Sequence, residues 1–130
     1  MTPTPPVVLV LENDDLNREF LVDLLGLWSY TVHGFGRPEE AMSAVKHGGL
    51  QPDLVMTDLH LDDTLSGVDF VRQLRKHDGF ASVPAIIVTG DSSLNLLREG
   101  LMIASVALKP IRPEKLRTQI AQHLRQSNTG

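Results

Sequence analysis

Short apolar runs rich in β-branched residues alternate along the chain with longer stretches in which apolar residues recur every three or four positions. The runs fall at 7–11, 30–34, 53–57, 85–89 and 105–108. A strand covered on both faces reads as a near-continuous apolar run, whereas a half-exposed strand alternates, so these runs predict a buried parallel sheet. The stretches between them predict helices. Leu16, Phe20, Leu24 and Leu27 share one helical face. Pro38 suits a first turn leading to Ala41 and Val45, with Gly48 and Gly49 as the stop. Ser66, with Asp69 three residues on, reads as a capped start for Val68, Val71 and Leu74. A weaker helix carrying Leu94 and Leu97 is expected between Asp91 and Gly100, and a last one carries Leu116, Ile120 and Leu124 after Pro113. A strand-helix unit repeated five times, with right-handed crossovers, predicts an α/β fold: a doubly wound parallel sheet with helices on both faces. The common order for five such strands is 2-1-3-4-5, which is a property of that fold class rather than of these residues. It opens a ligand crevice at the carboxyl ends of strands 1 and 3, where the winding reverses.

Composition narrows the function classes. A chain of 130 residues with 42% hydrophobic and 22% charged residues can pack one domain's core. The organisation expected is a linker at 1–6 (MTPTPP), a domain at 7–125 and a flexible tail at 126–130. The net charge of -4 and the lack of a basic stripe argue against a nucleic-acid binder. With no cysteine, the sequence has no disulfide, thiolate metal site or cysteine nucleophile, and it fits a reducing, cytoplasmic setting. No apolar run approaches the ~20 residues of a membrane span, so no membrane contact is expected.

The predicted crevice collects chemistry. Strand 1 ends in Glu12-Asn13-Asp14-Asp15, strand 3 in Thr57-Asp58, strand 4 in Thr89-Gly90-Asp91 and strand 5 in Lys109-Pro110. Crowded carboxylates need a cation to relieve their repulsion, and a set of oxygen donors suits Mg²⁺. An aspartate can attack phosphorus. A transferring phosphoryl group is then stabilised by a metal, a lysine ammonium and a hydroxyl. Asp58, Glu12, Lys109 and Thr89 make up that set.

Four segments carry a family resemblance. VLVLENDDLNREFL resembles the first strand and helix of response-regulator receiver domains. PDLVMTDLHL resembles their phosphoacceptor strand, PAIIVTG the strand ending in a switch hydroxyl, and ALKPIRPEKL the lysine-proline turn before the last helix. The resemblance covers about 7–124 and implies a flavodoxin-like fold. It implies a phosphoacceptor signalling domain rather than an enzyme, taking a phosphoryl group onto Asp58 with Mg²⁺. It makes Thr89 the switch hydroxyl and Lys109 the phosphate-facing lysine. The metal would be held by Glu12, Asn13, Asp58 and the backbone carbonyl of His60. The implied partner is a sensor histidine kinase, in cis or in trans, or a histidine phosphotransfer protein.

The chain also departs from that family. Asn13 stands where an acid usually binds the metal, and Val106 where an aromatic switch residue is usual. The loop HLDDTLSG lacks the usual proline and, like ALKPIRP, resembles receivers of hybrid sensor kinases. Asn13 as a plain helix cap rivals Asn13 as a ligand. Asp62 and Asp63 read as a solvated loop, Trp28 and Phe35 as packing, and the five histidines as surface residues without ligand spacing. Three other functions compete: a degenerate receiver that binds partners without phosphorylation, a haloacid-dehalogenase-like phosphatase, and a flavin binder. The phosphatase reading lacks an acid two residues after Asp58, and the flavin reading lacks a Ser/Thr-rich loop after strand 1.

Overall fold

The computed structural model describes residues 4–127. In chain order it contains β1 (Val7–Leu11), α1 (Asp15–Leu27), β2 (Thr31–Phe35), α2 (Pro38–Lys46), β3 (Leu54–Asp58), α3 (Gly67–Leu74), β4 (Ala85–Thr89), β5 (Ala104–Leu108) and α4 (Pro113–Ser127). The strands form one parallel sheet in the order β2-β1-β3-β4-β5, the predicted winding. Every residue of β3 and β4 is buried, as their unbroken apolar runs require. β2 lies at the sheet edge and is correspondingly more exposed.

The core has two halves, one on each face of the sheet. On one face Leu9, Leu11, Val55 and Ile87 pack with Ala41 and Val45 of α2 and with Phe70, Val71 and Leu74 of α3. On the other, Val8, Val10, Met56, Ile86 and Val88 pack with Leu21 and Leu25 of α1 and with Leu116, Ile120 and Leu124 of α4. Alternate residues of each strand thus serve opposite halves, as the twofold period of a strand dictates.

Three details differ from the sequence pattern. β2 and β3 each begin one residue later than expected, and β5 one residue earlier. Asp53 is not part of β3 but a clamp: its carboxylate accepts from the Val7 N–H at 2.8 Å, and its own N–H donates to the Val7 carbonyl at 2.8 Å. Second, α1 does not bury the predicted stripe. Leu16, Phe20 and Leu27 are exposed, and Leu21 and Leu25 face the sheet, with Leu24 partly buried. The helix has two apolar stripes, and periodicity alone cannot say which one meets the sheet.

Third, no α-helix joins β4 to β5. Leu97 lies in a run of turns and Leu94 in the irregular backbone before it. Short polar side chains there take backbone N–H groups that a helix would need: Asp91 accepts from Ser93, and Asn95 accepts from Leu97 and Arg98. Leu96 and Leu101 are buried instead, and Leu97 is 75% exposed. Residues 1–3 of the expected linker and 128–130 of the expected tail lie outside the described residues.

One histidine also departs from the surface reading. His123 is half-buried, with Nε2 2.8 Å from Ser105 Oγ and Nδ1 buried without a partner, and burial lowers its pKa.

Candidate functional site

The parallel register sets the carboxyl ends of the central strands side by side. Leu11 pairs with Thr57, Asp58 with Val88, and Thr89 with Leu108. Glu12 follows the end of β1, Asp58 closes β3, Thr89 closes β4, and Lys109 follows β5. These positions collect at one sheet edge, over the strands where the winding reverses.

Asp58 is 9% exposed and Glu12 3%, among the few buried polar side chains. Lys109 Nζ lies 3.2 Å from Asp58 Oδ1. The Glu12 carboxyl neighbours Asp58. Burial, reinforced by hydrogen bonding to Asp58 and by the Asp58 charge, pushes the Glu12 carboxyl from 4.5 up to about 7; Lys109 and Asn17 oppose the rise. The site therefore brings two carboxyl groups together, and Glu12 resists ionisation.

Thr89 is buried on the adjacent strand. Its hydroxyl accepts from the Asp91 N–H at 3.0 Å, and its carbonyl accepts from the Lys109 N–H at 2.8 Å. The backbone thus couples the hydroxyl-bearing strand to the lysine. The Lys109–Pro110 peptide is cis.

Asn13 is exposed, and its amide reaches the Leu61 carbonyl at 3.5 Å, the limit of a hydrogen bond. It is not the cap of α1. Asp14 is, accepting from the Asn17 N–H at 2.9 Å, and its carboxylate is thereby directed into the first turn. His60 is exposed and bridges Ser66 across the loop. Asp62 is solvated as expected, but it also shapes that loop by accepting from the Thr64 N–H and hydroxyl and the Leu65 N–H. Those bonds hold its pKa down.

Three residues of the site were missed by the sequence reading. Gly67 begins α3 so close to the acceptor strand that an added Cβ would lie 2.2 Å from the Asp58 carbonyl oxygen. Asn17 opposes the rise of the Glu12 pKa, and Arg18 donates to the Glu12 carbonyl. The apolar period of α1 gave no sign of either contact, since both depend on where β1 ends relative to the helix.

With this geometry in place, likeness to known proteins becomes informative. Residues 8–121 match the response regulator receiver domain family. The chain belongs to that family. This receiver is 32% identical over 116 residues to the hybrid signal transduction histidine kinase D of Dictyostelium discoideum, covering 85% of the chain but only 7% of that protein. It therefore spans a small fraction of that relative's length. Among solved structures, the receiver resembles the chemotaxis response regulator CheY4 of Vibrio cholerae, with a TM-score of 0.82 and 22% identity over 93% of this chain and 100% of that one. It also resembles the receiver domain of a signal transduction histidine kinase from Syntrophus aciditrophicus, with a TM-score of 0.77 and 20% identity over 93% and 91%. These likenesses make the receiver a two-component signal-transduction domain with the five-stranded fold described above.

Proposed function

We propose that this receiver accepts a phosphoryl group on Asp58 from the phosphohistidine of a sensor histidine kinase, in cis or in trans, or of a histidine phosphotransfer protein. The observation that supports it most is the Asp58 carboxylate at the switch point, with Lys109 Nζ at 3.2 Å and Glu12 as its neighbour. Asp58 oxygen attacks phosphorus as the phosphorus–nitrogen bond breaks, and the imidazole leaves with the bonding pair and takes a proton. The Lys109 ammonium then sits beside the phosphoryl oxygens, where it offsets their charge. Thr89 can turn its hydroxyl from the Asp91 N–H to donate to the same group.

Among the described residues no cluster of three or more His, Cys, Asp or Glu is placed to hold a metal. Mg²⁺ nonetheless fits, because it is commonly held by one or two carboxylates together with substrate phosphate oxygens. Glu12 and Asp58 supply the carboxylates, and Asn13 and the His60 carbonyl supply neutral oxygens. Crowding of the two acids is what a dication relieves. When bound, it would neutralise charge developing on the phosphoryl oxygens.

The domain is a signalling phosphoacceptor rather than a multiple-turnover enzyme in this reading, and the cysteine-free sequence accords with a cytoplasmic setting. No helix among the described residues is long and apolar enough to cross a membrane. The uncharged Asn13 favours one rival, a degenerate receiver that binds partners without phosphorylation.

Incubation with acetyl phosphate and Mg²⁺, followed by mass spectrometry, separates the two. Addition of one phosphoryl group on Asp58, abolished in Asp58→Asn, is the expected result. No labelling of the folded chain, or undiminished labelling of Asp58→Asn, overturns the assignment.

A further inference from the structure

Glu12 lies one residue beyond Leu11, the last residue of β1 paired in the sheet. Its N–H still donates to the Phe35 carbonyl at 3.0 Å. Its carbonyl accepts from Arg18 Nη1 at 2.9 Å, while Arg18 Nη2 holds Asp15 Oδ1 at 2.6 Å. The planar guanidinium thus bridges a backbone oxygen at the site and a carboxylate in the first turn of α1. Its two parallel donors suit that task, and a lysine ammonium lacks such a fixed fork.

The path of this side chain is cleared by β2. A Cβ at Gly34 would lie 3.3 Å from Arg18 Cγ and 2.8 Å from Val22 Cγ2, and a Cβ at Gly36 would lie 2.8 Å from Arg18 Nη1. Two residues without side chains therefore let the arginine cross the end of the edge strand. The ion pair with Asp15 does not account for this arrangement, because Asp15 is 88% exposed and such a pair contributes little.

We propose that Arg18 is a positioning residue for the metal and phosphoryl pocket, acting through the Glu12 carbonyl. That carbonyl belongs to the peptide plane joining Glu12 to Asn13. Fixing the plane fixes ψ of Glu12 and φ of Asn13 together, and so sets the directions in which both side chains leave the backbone. Arg18 itself touches neither metal nor phosphate. The inference rests on the reading of Glu12 and Asn13 as Mg²⁺ donors. It adds to that reading a residue on the far side of the backbone, with a track of glycines that admits it. Residues that orient metal ligands change affinity by about tenfold or more when removed.

The test is Mg²⁺ titration of the full chain, followed by calorimetry and by the amide signals of Glu12 and Asn13. The proteins are wild type, Arg18→Ala, Arg18→Lys, Gly36→Ala and the Arg18→Ala/Gly36→Ala double variant. Arg18→Ala should bind Mg²⁺ about tenfold more weakly, and Arg18→Lys should fall between it and wild type. Gly36→Ala should reproduce the loss, because its new methyl meets only the movable end of the arginine. The double variant should lose no more than either single one, the signature of one shared interaction. A purely structural arginine would lower the melting temperature but leave the affinity of the folded protein unchanged, and that result overturns the proposal. So would additive losses in the double variant, or a wild-type chain that binds no Mg²⁺. Acetyl phosphate labelling is scored separately: weaker Mg²⁺ binding in the variants with no labelling of wild type sustains the positioning role and removes the phosphoacceptor reading.

Discussion

Glu12 is held where its charge is least welcome, and the consequence is a stability that depends on pH. Its carboxyl titrates at about 7 in the fold, against an ordinary 4.5. Between those values the unfolded chain has released the proton and the folded chain keeps it. The group's contribution is therefore complete below about pH 4.5 and declines as pH rises to about 7. Metal-free Glu12→Gln should lack this decline and melt at a higher temperature than wild type at pH 8, with a smaller gap at pH 5. Thermal melts in a chelator check it; equal pH slopes in the two proteins would put the dependence elsewhere. Mg²⁺ should reduce the wild-type decline, since a dication stabilises the ionised acid. Asn13→Asp should act in the opposite sense. It adds a charge beside the proposed metal, so Mg²⁺ affinity should rise several-fold, while metal-free stability falls as a third acid joins the first two. Little is lost with the amide, whose contact to Leu61 is already at 3.5 Å. Calorimetric titration that finds no gain would show that position 13 is not a ligand.

At the scale of elements, α3 is the part most tightly tied to the acceptor. Ser66 accepts from the Asp69 N–H at 3.1 Å, and Asp69 accepts from the Ser66 N–H at 3.2 Å, closing a reciprocal cap. The Gly67 N–H then donates to the Leu59 carbonyl at 2.7 Å. No side chain fits between Gly67 and the Asp58 carbonyl, so Gly67→Ala should destabilise by about 1–3 kcal/mol, because the obstacle is backbone rather than a movable side chain. Urea unfolding checks this, and an unchanged midpoint would mean that α3 can move off β3. The cap was legible in sequence because Ser and Asp at that spacing have one strong local use. The central strands β1, β3 and β4 were legible because burial on both faces leaves an unambiguous apolar run. The buried face of α1 was not, since Leu16-Phe20-Leu24-Leu27 and Leu21-Leu25 are both regular and only the sheet decides between them. The β4–β5 connection was misread for a related reason. Two leucines at helical spacing suggested a helix, but Asp91 and Asn95 bind nearby N–H groups at close range, and the burial of Leu96 and Leu101 favours turns. In the site, each strand end was legible from the winding rule, whereas Arg18 and Gly67 act through backbone carbonyls that no motif names.

Across the whole molecule, the connection without a helix has a consequence for how a signal at Asp58 would spread. Arg75, near the end of α3, donates to the carbonyls of Val83, Met102 and Ile103, and Arg72 donates to the Glu99 carbonyl. Segment 99–103 is thus strapped to a helix whose other end is fixed to the acceptor strand. The last helix is linked differently. α4 packs on the opposite face of the sheet, through Leu116, Ile120 and Leu124. Val106, on β5, belongs with the α2–α3 side of the core and is too short and stiff at χ1 to carry a large rearrangement between exposed and buried positions. A change at Asp58 should therefore be felt along 59–75 and at 99–103 more than along α4, as a bias on two packed elements rather than a rotation of one ring. The hypothesis is tested with beryllofluoride and Mg²⁺, a stand-in for the phosphoryl group. Amide signals should shift most around Asp58, Thr89 and Lys109, next through α3 and 99–103, and least over 116–124. Arg75→Ala should shrink the shifts at 99–103 while leaving those at Asp58 in place. Large shifts along α4, or dimerisation through it on beryllofluoride binding, would show instead that the signal crosses the sheet without an aromatic at position 106.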